Sequence, residues 1–162
     1  MVKQFKQSLI LSISLFLAGC SDIKTPAGPT CVSCKPYIVR GKRYYPQSHY
    51  EYDEVGLASW YGYEANNTVK ATGEKYDRTL MTAAHRTLPL PSVAKVTNLL
   101  NGKSIIVVID DRGPYCYKGR IIDLSYGSAK ALGIYSKGLM KVRVQVLPTE
   151  SLKLSCYIAK HC

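Results

Sequence analysis

The chain has 162 residues, 46% hydrophobic and 20% charged, and a formal net charge of +11. This composition excludes a disordered or fibrous protein and suits one globular domain with tails. The positive balance favours an anionic partner, but the 22 Lys and Arg are scattered rather than run together, so a nucleic-acid tail is not expected.

At the N-terminus, Lys3 and Lys6 precede an apolar stretch from Leu9 to Leu17. This reads as an export signal, too short to span a bilayer. The stretch ends Leu17-Ala18-Gly19-Cys20, which resembles a bacterial lipobox. That resemblance implies cleavage before Cys20, lipidation of Cys20 and a mature chain anchored in a membrane. Ser21 then implies sorting to the periplasmic face of the outer membrane. Losing Lys3 and Lys6 takes the net charge from +11 to +9.

An exported chain can form disulfides. Cys31 and Cys34 have Cys-x-x-Cys spacing, Cys156 and Cys162 lie close together, and Cys116 is the candidate unpaired thiol. These pairs are poorly matched to four convergent zinc ligands, so no metal is expected.

Residues 20–54 carry repeated Pro and Gly without periodicity and read as a linker; within it, Lys35 to Tyr45 is basic and rich in Tyr. Gly56 to Gly62 reads as the first strand of the folded part, and Asn66 to Thr72 as a loop. Val93 to Thr97, Ser104 to Ile109, Gly119 to Leu124 and Lys141 to Val146 read as further strands, with a turn at Asn101-Gly102. Val142, Val144 and Val146 alternate and should face inward. Ser125 to Leu132 has a Ser start mark and is followed by Gly133, so it reads as a short helix. Short strands with little helix argue a small closed β-barrel.

Ile105 to Ile109 is a run of buried β-formers, and Asp110, Asp111, Arg112, Gly113 and Pro114 follow at once. The charged group belongs where the strand leaves the core, which is where scaffolds hold functional side chains.

Five ordered motifs stand together: Ala58-Ser-Trp-Tyr-Gly62, Thr72-Gly-Glu74, Ala83-Ala-His-Arg-Thr-Leu-Pro89, Asp111-Arg-Gly-Pro114 and Gly119-Arg-Ile-Ile-Asp-Leu-Ser125. Together they resemble the rare lipoprotein A family over roughly residues 55–147. The resemblance implies a mostly β fold, a six-stranded double-psi β-barrel with one or two short helices. It also implies a lytic transglycosylase that cleaves the MurNAc–GlcNAc β-1,4 bond of peptidoglycan, notably in strands without stem peptides, leaving 1,6-anhydro ends. A non-catalytic wall-binding lipoprotein, like the expansins, is the alternative. No cofactor is implied, and a monomer is expected.

By the same resemblance Asp111 is the acid/base, Glu74 the second acid, and His85 a group that orients a carboxyl or a sugar hydroxyl. Trp60 and Tyr61 stack on sugars or pack the core. Arg112 contacts a substrate carboxylate or pairs structurally with Asp123. Asp110 stands where the family usually has Asn. Residues 148–162 are expected to be a short tail, without the SPOR domain that many relatives carry.

Overall fold

The computed structural model describes residues 34–47, 50–62, 65, 67–116 and 118–161. The export signal, Cys20 and Cys31 lie outside the described residues.

Six strands close into a barrel: β3 (Asp53–Trp60), β4 (Thr82–His85), β5 (Ser92–Asn98), β6 (Ser104–Asp111), β7 (Arg120–Leu124) and β8 (Met140–Val146). They are ordered β3-β7-β4-β6-β5-β8 around it. β3 with β7 and β4 with β6 are parallel, and the other neighbours are antiparallel. Closure satisfies every edge. The interior is filled by branched apolar side chains, among them Val96, Val107, Ile109, Ile122, Leu124, Val142 and Val144, all essentially inaccessible. The alternation expected in β8 is borne out, with Val142, Val144 and Val146 buried.

The pattern in the sequence marks five of the six strands. β4 is Thr-Ala-Ala-His and carries no run of β-formers, yet all four residues are buried between β6 and β7. Tertiary pairing overrides weak propensity here.

The ladder between β4 and β6 is irregular. Ala83 pairs with Ile109 and Ala84 with Asp111, so Asp110 is the extra residue of a β-bulge. Bulges re-aim side chains beside functional sites.

Helix α1 (Tyr126–Leu132) forms as expected: the Ser125 side chain accepts from the Ser128 amide, and Gly133 ends it at φ 75°. Gly127 sits so close to the 78–80 turn that a Cβ there would fall 2.3 Å from the Thr79 carbonyl oxygen.

Two segments differ from the expectation of linker and tail. Tyr37–Val39 (β1) and Lys42–Tyr44 (β2) form an antiparallel hairpin. Its two-residue turn has positive φ at both Arg40 (49°) and Gly41 (74°), which matches the twist of paired strands. The hairpin docks on the barrel: the Tyr37 hydroxyl donates to the Arg86 carbonyl at 2.8 Å, and Tyr37, Tyr44 and Tyr115 form an aromatic cluster. Tyr50 is buried in the core.

Pro148–His161 is helix α2. It packs on β5 through serines: the Val93 amide donates to Ser151 Oγ at 2.8 Å, and Ser155 Oγ lies 3.0 Å from the Tyr50 hydroxyl. A face built on buried Ser151 and Ser155 has no apolar stripe to reveal it in the sequence. Among the described cysteines, Cys34 is disulfide-bonded. Cys116 and Cys156 are free; Cys162, considered as a partner for Cys156, lies outside the described residues.

Candidate active site

β6 ends at Asp111, where the barrel opens. Its carboxyl is half-buried and held by three donors. The Ala71 amide and its neighbour's amide, Arg112 N, both donate to Oδ1 at 2.8 Å, and the Tyr61 hydroxyl donates to Oδ2 at 3.1 Å. The Ala71 bond ties the turn that carries Thr72-Gly73-Glu74 to the end of β6. Two distant motifs of the sequence therefore meet at one carboxyl.

Tyr61 is placed by the end of β3. Burial pushes its hydroxyl far above the ordinary phenol range, and the negative charges of Asp111 and Asp123 add to this. It therefore stays a proton donor at neutral pH. Its ring packs on Tyr76 with centroids 5.3 Å apart. Trp60 takes the other side of the strand, against Tyr135 (4.9 Å) and Tyr126 (6.2 Å), and packs on the core. Of the two aromatics proposed for sugar stacking, Tyr61 touches the candidate acid, and Trp60 has the packing role.

Asp110 goes elsewhere. Its Oδ2 lies 2.6 Å from Lys70 Nζ, and both side chains are buried, at 8% and 4% exposure. Lys70 also reaches Glu74 Oε2 at 2.9 Å; Glu74 is 71% exposed. Burial pushes the Asp110 carboxyl above the usual range; Lys70 opposes this, and the charges of Asp111 and Glu74 add to it. Burial works to lower the Lys70 ammonium, but its bonds to Asp110 and Glu74 prevail and raise it. A buried carboxylate needs a partner. The second acid of Asp110-Asp111 was the one signal in the sequence for a cation such as Lys70, and nothing local said which cation.

Asp123 on β7 is a third buried acid. It accepts from Ser59 Oγ and pairs with Arg120 Nη1 at 3.0 Å. Burial pushes its carboxyl up, against the pull of Ser59 and Arg120. The pair considered between Arg112 and Asp123 is thus replaced by one with Arg120. Arg112 is buried; its Nη1 donates to the carbonyls of Leu88 (2.5 Å) and His85 (3.2 Å), and its guanidinium lies over the Tyr37 ring. It fastens the loop after β6.

His85 is buried at the end of β4. Its Nδ1 accepts from the amides of Leu88 (3.1 Å) and Thr87 (3.2 Å), which puts the proton of a neutral ring on Nε2. Tyr52 stacks edge-on at 4.7 Å. Burial, helped by Arg86 and Arg112, pushes the imidazole down to about 3. No hydrogen bond or ion pair joins His85 to Asp111 or Glu74 among the described residues. It braces the 85–88 turn beneath Arg112, so its link to the acids runs through the backbone.

A cavity of about 510 Å³ opens beside these groups. Thr72, Gly73, Glu74 and Asp110 form its polar side, and Leu154 and Ile158 of α2 form an apolar wall. This mix of convergent polar groups and apolar surface is typical of ligand clefts of this size. Among the described residues, no group of three or more His, Cys, Asp or Glu converges in metal-binding fashion.

A closed mixed barrel of six strands, with two parallel pairs and acids at a strand end, defines the class as a double-psi β-barrel. Residues 53–144 match the family model described as lytic transglycolase, and the chain belongs to that family. It is 52% identical over 115 residues to the endolytic peptidoglycan transglycosylase RlpA of Pseudomonas aeruginosa (strain UCBPP-PA14), covering 70% of this chain and 33% of the relative. It is 40% identical over 168 residues to the protein of the same name from Vibrio cholerae, covering 88% of this chain and 64% of the relative. The chain thus spans a third of the one and under two thirds of the other. Among solved structures, the Streptomyces papain inhibitor aligns with TM-score 0.46 at 19% identity, over 59% of this chain and 94% of that one.

Proposed function

We propose that this chain is a peptidoglycan lytic transglycosylase, cleaving the MurNAc–GlcNAc β-1,4 bond without water and leaving 1,6-anhydro ends. The observation that carries this is the Asp111 carboxyl, held by Tyr61, Ala71 and Arg112 at the mouth of a lytic transglycolase barrel. The names of the relatives support the substrate.

In the mechanism, protonated Asp111 gives its proton to the glycosidic oxygen as the C1–O4 bond breaks. The carboxylate left behind takes the proton of the MurNAc C6 hydroxyl as that oxygen closes on C1. One carboxyl is acid and then base, as in glycoside hydrolysis. Both N–H donors meet Oδ1, so the travelling proton belongs on Oδ2, where the Tyr61 hydroxyl turns to accept or donate. Glu74, exposed at the cleft rim, supplies negative charge to the oxocarbenium-like transition state, and Lys70 fixes its position. Strands lacking stem peptides are the proposed preferred form.

The envelope setting is part of the proposal. Lys3, Lys6, the Leu9–Leu17 stretch and Cys20 support a lipid anchor, with the barrel working as a monomer on the periplasmic face of the outer membrane. No helix of the described residues is long and apolar enough to cross a membrane.

The test is digestion of amidase-treated sacculi by the purified chain, with the products weighed by mass spectrometry. Anhydro-muramyl ends from the wild type, and none from Asp111→Asn, are expected. Folded wild-type protein that binds sacculi and releases nothing would leave the wall-binding role instead.

A further inference from the structure

A second cavity, of about 320 Å³, lies between the N-terminal hairpin and the loop that leaves Asp111. Lys42, Tyr44, Arg86, Tyr115 and Lys118 line it, and no acidic residue does. Arg86 is built in: its Nη1 donates to the carbonyls of Arg120 (2.7 Å) and Pro114 (3.1 Å). Among the described residues, its Nε and Nη2 have no hydrogen-bond partner, and neither Lys42 nor Lys118 has an acidic one. Lys42 lies over the Tyr44 ring at 5.4 Å. The nearby Arg120 pairs directly with Asp123, whose charge also reaches Arg86.

Arg86 feels the charge of Asp123, but Lys42 and Lys118 have no acidic partner among the described residues, so the cavity keeps a positive balance. A guanidinium fixed by two carbonyls presents its remaining donors in the planar fork that suits a carboxylate. The floor of the cavity is Pro114 and Tyr115, three and four residues beyond Asp111. A strand lying across Asp111 would bring its neighbouring sugars here.

We infer that this cavity is an anion subsite that takes a carboxylate carried by the glycan strand. The inference rests on the reading of the substrate as peptidoglycan, and it adds a second contact point beside the acid. Peptidoglycan offers that carboxylate from two sources, the lactyl group of bare MurNAc or the peptide attached to it.

The experiment uses the full chain with Asp111→Asn, so that ligand is bound and not consumed. Three probes are titrated by calorimetry: a GlcNAc–MurNAc tetrasaccharide with free lactyl carboxylates, the same with those groups methylamidated, and a peptide-bearing tetrasaccharide. Adding Lys42→Ala and Lys118→Ala, both at exposed residues, is expected to weaken a carboxylate probe about fivefold to tenfold, with the effect fading at high salt. The methylamidated probe should bind both proteins alike. Arg86→Gln should act like the lysine pair, and Arg86→Lys should recover part of the loss.

Loss confined to the bare probe assigns the lactyl group, and loss confined to the peptide probe assigns the peptide; either supports the subsite. Equal carboxylate binding by all variants, equal loss on the neutral probe, or no binding of any probe by folded protein overturns it. So does binding to vesicles containing phosphatidylglycerol that needs the two lysines while glycan binding does not. Should the wild type release no anhydro products yet keep the carboxylate discrimination, the lyase reading falls and the subsite stands.

Discussion

Lys70 Nζ sits 2.6 Å from Asp110 Oδ2 with both side chains buried, and the same ammonium holds the exposed Glu74 at 2.9 Å. Removing one member of a buried pair strands the other charge, whereas replacing both with neutral groups removes the problem. Lys70→Met should therefore cost about 3 kcal/mol in urea denaturation. Lys70→Met with Asp110→Asn should recover most of it. Because burial already favours the protonated form of Asp110, the single-variant deficit should shrink as the pH is lowered.

Tyr61 touches Asp111 through one hydroxyl. Tyr61→Phe keeps the ring against Tyr76 and removes only that bond. Turnover on denuded glycan should fall about tenfold with KM little changed, because a hydrogen bond to a charged group is worth roughly 1.5–3 kcal/mol. A KM effect with kcat intact would instead assign Tyr61 to substrate binding.

His85 gives a pH signature. Its folded-state value, about 3, lies below the ordinary 6.5, so on acidification the unfolded chain takes the proton first. Its contribution is complete above pH 6.5 and drains as the pH falls toward 3, with a limiting slope of about 1.4 kcal/mol per unit. Asp110 and Asp123, both raised by burial, bind protons more readily when folded and oppose that slope. The difference in stability between wild type and His85→Gln isolates the histidine: it should narrow steadily between pH 6.5 and 4.

Ser151 joins α2 to β5: the Val93 amide donates to its Oγ, which can in turn donate to the Leu147 carbonyl at 2.8 Å. Ser151→Ala leaves the buried Val93 amide without that partner and should cost about 1–3 kcal/mol by thermal denaturation. If α2 walls the substrate cleft, Ile158→Ala should raise KM while leaving the melting temperature nearly unchanged.

Legibility in the sequence followed the range of the interactions. β5, β6, β8 and α1 announce themselves because alternation and caps are local signals. β4 hides because Thr-Ala-Ala-His gains its strand form only from β6 and β7. The hairpin at 37–44 hides because its docking depends on Tyr115, more than seventy residues away along the chain. The ordered motifs brought Asp111 and Glu74 to notice, and the turn at 70–74 does link them. The work of Tyr61, Lys70 and Asp123 is invisible in one dimension, because each is defined by a partner on another strand.

The bulge in β6 is what separates the two neighbouring acids. Asp110 is the supernumerary residue, aimed at Lys70, and Asp111 resumes the ladder and meets Tyr61. Which of the two acids stands at the proposed reacting position is thus a matter of counting along one strand. A single-residue deletion before the bulge would leave both carboxyls in the chain but move each back one place, handing the lysine-paired position to Asp111, the Ile109 position to Asp110 and the position of the proposed acid to Arg112. Insertions and deletions in this strand should therefore be far less tolerable than substitutions that keep the count.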